Sequence, residues 1–155
     1  MIVRLAQPDD SAAIAALYLE LVDNPQVQVL PERLATLAEH ADHALLVAEA
    51  GGRIVGTAHL MFCLDAMFGL QPYALVENVV VAAAARGQGV GKVLMDAIEA
   101  RCRDRTCSKI MLLSSATRSD AHRFFARAGF QGDVKRGFVK YRRDFAMACE
   151  TGLNS

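Results

Sequence analysis

Leu75-Val76-Glu77-Asn78-Val79-Val80-Val81 runs through four alanines into Arg86-Gly87-Gln88-Gly89-Val90-Gly91-Lys92. The apolar run reads as a buried strand, and the glycines as a turn that opens an amphipathic helix. On the helical side Val90, Val93, Leu94, Ala97, Ile98 and Cys102 recur at three- and four-residue spacing. A helix that begins in glycines presents unpaired backbone N–H groups with no side chains in the way. Its dipole favours negative charge there, so the spot suits a phosphate or pyrophosphate.

Two glycine-rich motifs are excluded. A P-loop needs Gly where this chain has Arg86 and Ser or Thr where it has Val93. A dinucleotide fingerprint needs a third Gly where Lys92 or Leu94 stands. The remaining pattern, Arg86-x-x-Gly89-x-Gly91, is also compatible with an ordinary strand-to-helix turn. Downstream, Lys109 to Ser114 is a short apolar strand, followed by Ser119-Asp120-Ala121-His122-Arg123-Phe124-Phe125-Ala126-Arg127-Ala128-Gly129-Phe130. Ser119 is placed to cap a helix, Asp120 sits in its positive first turn, and Gly129 is a left-handed stop. Ala121, Phe124, Phe125 and Ala128 form its apolar face.

Both stretches, in this order and spacing, resemble the two signatures of the GNAT superfamily of N-acetyltransferases. The resemblance is strongest from about Tyr73 to Phe145.

Read outward, residues 2–6 alternate like an edge strand, and Pro8-Asp9-Asp10-Ser11 start a helix striped by Ile14, Leu17, Tyr18 and Leu21. Asn24-Pro25 ends it, and Pro31 restarts a helix through Leu34, Leu37, Ala38 and Ala41. Ala44 to Ala50 and Arg53 to Phe62 form a hairpin about Gly51-Gly52. A final strand is expected near Phe138 to Arg142. This order predicts a mixed α/β (α+β) fold, with antiparallel hairpins in front and a parallel crossover behind. It is the order of the GNAT acyl-CoA N-acyltransferase fold, a central, mostly antiparallel sheet with flanking helices. Residues 1–155 are expected to be a single N-acetyltransferase domain, with a loosely ordered tail from about 146 to 155.

The resemblance implies transfer of the acetyl group of acetyl-CoA to a primary amine. The pyrophosphate would sit on the N–H groups of Gln88, Gly89, Val90, Gly91 and Lys92, in the loop that Arg86 and Gly87 begin. Arg86 and Lys92 would add positive charge. The pantetheine arm would pair with the backbone of Val79, Val80 and Val81, and the Val79 N–H would hold the developing oxyanion. A protonated amine cannot attack, so a base is required. Glu77 is the one acid in its apolar run, two residues before Val79 and so on the same face of a regular strand. The alternative for Glu77 is a simple ion pair with a neighbouring Arg or Lys.

Two positions depart from the family. Phe125 stands where its usual Tyr could protonate the leaving thiolate, leaving Tyr141, Tyr73 or water as substitutes. Arg118 replaces a common Asn and is a candidate for reaching the cofactor or an anionic acceptor. The segments around Arg118 and Glu77 resemble those of aminoalkylphosphonate and glucosamine-6-phosphate acetyltransferases, which implies a small amine acceptor. Its pocket is expected from the first helices and the Cys63 to Pro72 connection. A protein or peptide N-acetyltransferase and a non-catalytic acyl-CoA sensor are the alternatives.

The chain has 155 residues, 53% apolar, with formal net charge of zero. That size fits one domain by the usual roughly 100–200 residues. No basic excess points to nucleic acid, and no stretch approaches the roughly 20 apolar residues of a membrane span. Residues 135–143 are locally basic and read as a solvated edge strand. Met1-Ile2-Val3-Arg4-Leu5 lacks a signal-peptide layout, so cytoplasmic location is expected. Cys63, Cys102, Cys107 and Cys149 show no metal-ligand spacing and read as free thiols, so no metal is expected. The composition is compatible with a homodimer. His59 and His122 read as packed and surface histidines, and Met61, Met67, Met95 and Met111 as core filling.

Overall fold

A computed structural model describes residues 1–146. Five strands form one sheet in sequence order, β1 (Ile2–Leu5), β2 (His43–Ala50), β3 (Arg53–Cys63), β4 (Tyr73–Val81) and β5 (Ile110–Leu112). The first four run antiparallel, and β5 joins β4 in parallel. The helices are α1 (Ser11–Leu21), α2 (Pro31–Glu39), α3 (Val90–Asp104) and α4 (Ser119–Arg127). The mixed sheet with flanking helices is the expected fold.

The two sheet faces bury different sets. Ile14 of α1 and Leu34 of α2 pack with Leu45 and Val47 of β2. Leu45 lies opposite His59 and Val47 opposite Thr57, so these residues share the face that α1 and α2 cover. The other face carries Leu46, Ala58, Leu60 and Val76, all buried, against α3. The α3 stripe Val90, Leu94, Ile98 and Cys102 is buried as its spacing predicts, and Met95 joins it. α3 comes so close to β3 that a Cβ on Gly56 would lie 2.8 Å from Val90 Cγ1 and 3.2 Å from the Val80 carbonyl. Glycine is required there for helix–sheet contact.

A polar tie fixes the chain start. Arg4 donates to both carboxylate oxygens of Asp10, at 2.7 and 3.0 Å, and to Glu49 at 3.0 Å. Hydrogen bonding to Arg4 holds the Asp10 carboxyl below its usual pKa.

Among the described residues, 1–118 and 119–146 are separate compact units. In the second, α4 half-buries Ala121, Phe124 and Phe125, whereas Ala128 is exposed. Phe125 meets Phe124 and Phe130 edge-on, with centroids 5.2 and 5.9 Å apart. Gly129 has φ +91°, the expected left-handed stop. The strand predicted near Phe138 to Arg142 does not form, and a single 3-10 turn at Arg142–Asp144 stands at its end. A strand needs a ladder partner. Phe138 and Val139 are 87% and 64% exposed, and Gly137 lies beside them. The basic run is solvated as expected, but not as a strand. The tail from 147 on, with Cys149, lies outside the described residues.

Candidate active site

The strand β4 changes character along its length. Ala74, Leu75 and Val76 pair with β5 on one side and with β3 on the other. From Glu77 to Val81, β4 keeps its β3 partner but has no β5 partner among the described residues. Its backbone groups on that side form an open edge of the kind that takes up an extended ligand.

A bulge marks the change. Glu77 lies opposite His59 and Val80 opposite Thr57, so three steps on β4 match two on β3. Asn78 absorbs the extra residue with φ +54°, a conformation that Asn tolerates better than most residues. The Asn78 side chain hydrogen-bonds the Tyr18 hydroxyl of α1, which helps to hold this turn-like residue in place. Burial raises the Tyr18 hydroxyl pKa, and that bond opposes the rise. The bulge corrects one expectation: Val80, not Val79, shares the face of Glu77.

Glu77 is half-buried on the α1–α2 face. Among the described residues its carboxylate makes no hydrogen bond and no ion pair, so the alternative of a simple pair with Arg or Lys finds no partner. Beside it, His59 Nε2 lies 3.0 Å from His43 Nδ1. Burial, and then the charge of His43, lowers the His59 pKa from 6.5 to about 4.

After Val81, Ala83–Ala85 make a 3-10 turn that leads to α3. Glu20 of α1 accepts the Ala83 N–H at 2.8 Å and lies 3.9 Å from Arg86. Arg86 Nε also donates to the Val81 carbonyl at 3.2 Å. Gly89 caps α3 with φ +81°, and no side chain caps the helix. A Cβ at Gly89 would meet nothing within 4 Å, so the space beside the helix cap is clear. Gln88 turns its amide back to the Ala84 carbonyl at 3.0 Å. Lys92 pairs with Asp96 at 2.6 Å on an exposed face, an interaction weak enough to yield to a stronger anion.

The family model described as the Acetyltransferase (GNAT) family matches residues 14–130. The chain belongs to this family. It is 31% identical over 134 residues to the aminoglycoside N(6')-acetyltransferase type 1 of Stenotrophomonas maltophilia, covering 83% of this chain and 85% of that protein. It is 34% identical over 101 residues to glucosamine 6-phosphate N-acetyltransferase 1 of Oryza sativa subsp. japonica, covering 64% of this chain and 58% of that one. A solved structure from Agrobacterium tumefaciens str. C58, assigned as an acetyltransferase, superposes with a TM-score of 0.81 at 28% identity, covering 92% of this chain and all of that one.

This GNAT acetyltransferase thus belongs to a family whose acyl donor is acetyl-CoA. The loop and the open β4 edge fit such a donor: uncapped helix N–H groups lie near clear space beside the cap and near unpaired strand backbone. The structure brings Glu77 and Val79 to Val81 onto the open half of β4 and carries Arg86 to Lys92 directly behind it. Arg118 is exposed in the segment after β5, with its N–H on the Ser115 carbonyl at 3.0 Å.

Two expectations fall at the paired end of β4. The Cys63 to Pro72 connection joins the paired end of β4, about six residues or 20 Å from Val79 along the strand. Its Leu64, Met67, Phe68 and Leu70 are exposed, so Met67 is no core residue. Tyr73 lies at the same end, about 13 Å before Glu77, so it is badly placed to protonate a leaving group. Tyr141 is exposed under Arg143. Sequence reasoning missed Glu20, Tyr18 and His43. An Asn inside an apolar strand was the available signal for the bulge; nothing local marks Glu20 or Tyr18.

Proposed function

We propose that this enzyme moves the acetyl group of acetyl-CoA directly to a primary amine of a small molecule, with amino sugars as the first class to test. Glu77 is its general base. The observation that carries this reading is the half-buried Glu77 carboxylate, unpartnered among the described residues, where β4 loses its β5 neighbour. The named activities of the two curated relatives, on an aminoglycoside and on glucosamine 6-phosphate, support an amine on a sugar ring.

In this reading the N–H groups of Gln88 to Lys92 hold the pyrophosphate, with Gly87 and Gly89 shaping the turn. Arg86 and Lys92 exchange Glu20 and Asp96 for phosphate oxygens. Backbone groups of Val79, Val80 and Val81 pair with the pantetheine arm, and the Val79 N–H steadies the oxyanion. Glu77 takes a proton from the ammonium, directly or through water, which frees the lone pair for attack. Phe125 has no proton to give. A thiol with a pKa near cysteine's, roughly 8.5, leaves without a strong acid. Arg118 serves the cofactor or an anionic group of the acceptor. Residues 1–155 work as one domain, a reading supported by a family match that runs from the first compact unit into the second, as far as residue 130.

Thiol release from acetyl-CoA tests this with a 6'-amino aminoglycoside, glucosamine 6-phosphate, an aminoalkylphosphonate and a peptide with a free N-terminus. Turnover of an amino sugar is expected. Turnover of the peptide alone would replace the reading by a protein acetyltransferase, and acetyl-CoA binding without any turnover by a sensor.

A further inference from the structure

Acetyl transfer from a thioester to a protonated amine yields an amide, a thiol and one free proton. With both substrates in place, that proton has to leave the reacting centre. The sheet face that carries Glu77 also carries a row of histidines. His59 lies directly opposite Glu77 in the β3–β4 register, where side chains on one face stand about 5 Å apart at Cβ. His43 Nδ1 lies 3.0 Å from His59 Nε2. His40 meets His43 edge-on, with ring centroids 4.6 Å apart. His59 and His43 are half-buried, and His40 is exposed, so the row runs from interior to surface. It ends in a cavity of about 260 Å³ lined by His40, His43, Phe62, Arg101 and Arg105.

We propose that His59 and His43 carry the reaction's proton from Glu77 to water in this cavity, an inference that rests on Glu77 being the base. Glu77 passes its proton through one bridging water to His59 Nδ1 as the His59 Nε2 proton moves to His43 Nδ1. His43 then loses its Nε2 proton to water. Only O–H and N–H bonds form and break, each ring keeps one proton, and exchange with water restores the starting tautomers. The low pKa of His59, about 4, suits this task. A ring that stays neutral accepts on one nitrogen and donates from the other. Several titratable and charged groups around the row are otherwise engaged. The Tyr18 hydroxyl bonds Asn78. Asp42 is held by Arg105 at 2.7 Å and gives its N–H to His40 Nδ1 at 3.1 Å. Arg101 donates to the Ala97 carbonyl at 3.4 Å, and Asp104 lines the cavity beside it.

Two measurements test the relay. In the first, kcat and acetyl-CoA affinity are measured for His43→Phe, His59→Phe and Glu77→Gln with the amine of the panel that turns over fastest. Both histidine variants are expected to lose kcat about ten- to a hundredfold, within the general acid–base range, with cofactor affinity unchanged. In His43→Ala, where truncation leaves room for a ring beside the cavity, added imidazole should restore kcat, and it should leave Glu77→Gln unrestored. Full kcat in His43→Phe, or a loss in His43→Ala that imidazole leaves untouched, overturns the relay. Full kcat in Glu77→Gln removes the base reading itself, which separates the two failures. The second measurement needs no acceptor: nitrogen NMR of the histidine rings. Glu77→Gln should shift the His59 Nδ1 resonance, and an unmoved resonance overturns the link between them.

Discussion

The two halves of β4 are made of the same kind of residue and do different work. Ala74 to Val76 lies between two neighbouring strands, and its Ala74 and Val76 are fully buried. Glu77 to Val81 has one neighbour among the described residues, a charged residue at its start and a bulge one residue later. Pairing on both sides satisfies every backbone group and leaves nothing for a ligand. Removing one neighbour frees a row of donors and acceptors. The bulge re-aims the side chains at the point where that row begins. A single strand thus anchors the sheet at one end and presents chemistry at the other.

The largest expected effect comes from the open half. Glu77→Gln should lower kcat about 10²–10⁴-fold while a calorimetric titration gives the parent affinity for acetyl-CoA. Equal turnover would show that the open half needs no base. The paired half should respond in the opposite way. Leu60 is fully buried opposite Val76, so Leu60→Ala should cost about 2–5 kcal/mol in urea unfolding and leave cofactor affinity intact. A Leu60→Ala variant of parent stability would break the assignment of that half to the core.

The boundary between the halves should be visible as pH-dependent stability. His59 faces Glu77, and its folded pKa of about 4 lies below its ordinary 6.5. Between those values the unfolded chain binds more protons than the folded one, so stability rises with pH. The contribution is complete above 6.5 and is lost as pH falls towards 4. The slope is at most about 1.4 kcal/mol per pH unit, and solvent screening of the half-buried ring keeps the total below about 3 kcal/mol. Urea unfolding at pH 7 and pH 5 should give this loss in the parent, and His59→Phe should flatten it. An unflattened curve would assign the slope to other groups, such as Asp10, whose lowered pKa adds its own loss at still lower pH.

Much of this was legible in the sequence, for identifiable reasons. The glycine loop, the α3 stripe and the Gly51-Gly52 hairpin are local patterns, and local patterns survive folding. The break between β4 and β5 was not legible, because it depends on where a distant strand stops. Neither was the His43–His59 contact, which joins residues sixteen apart through strand register. Two-residue spacing put Glu77 and Val79 on one face, and one residue with positive φ undid that. The strand expected near Phe138 had suitable residues but found no ladder partner.

The helix start behind the open half gives a smaller pair of effects. Gly91 lies within α3, whereas Gly89 needs φ +81°. Gly91→Val should weaken acetyl-CoA binding about ten- to a hundredfold, the worth of one or two charged hydrogen bonds, at little cost in stability. Gly89→Val should weaken binding too, and also lose about 1–3 kcal/mol to backbone strain. Loss of stability without loss of binding in Gly89→Val would make this a structural turn only.

The smallest effect addresses the bulge itself. Asn78 combines φ +54° with a side-chain bond to Tyr18. Asn78→Gly keeps the backbone choice and discards the bond, so it should cost about 1 kcal/mol or less. Asn78→Val discards both, and should cost about 1–3 kcal/mol if the bulge persists under strain. If the bulge instead slips out, strand alternation moves Glu77 away from the His59 face. The Val variant would then lose turnover far beyond its loss of stability, while the Gly variant keeps both. Equal turnover in the two variants would mean that the bulge is not what separates the halves of β4, and that the end of β5 pairing alone sets the boundary.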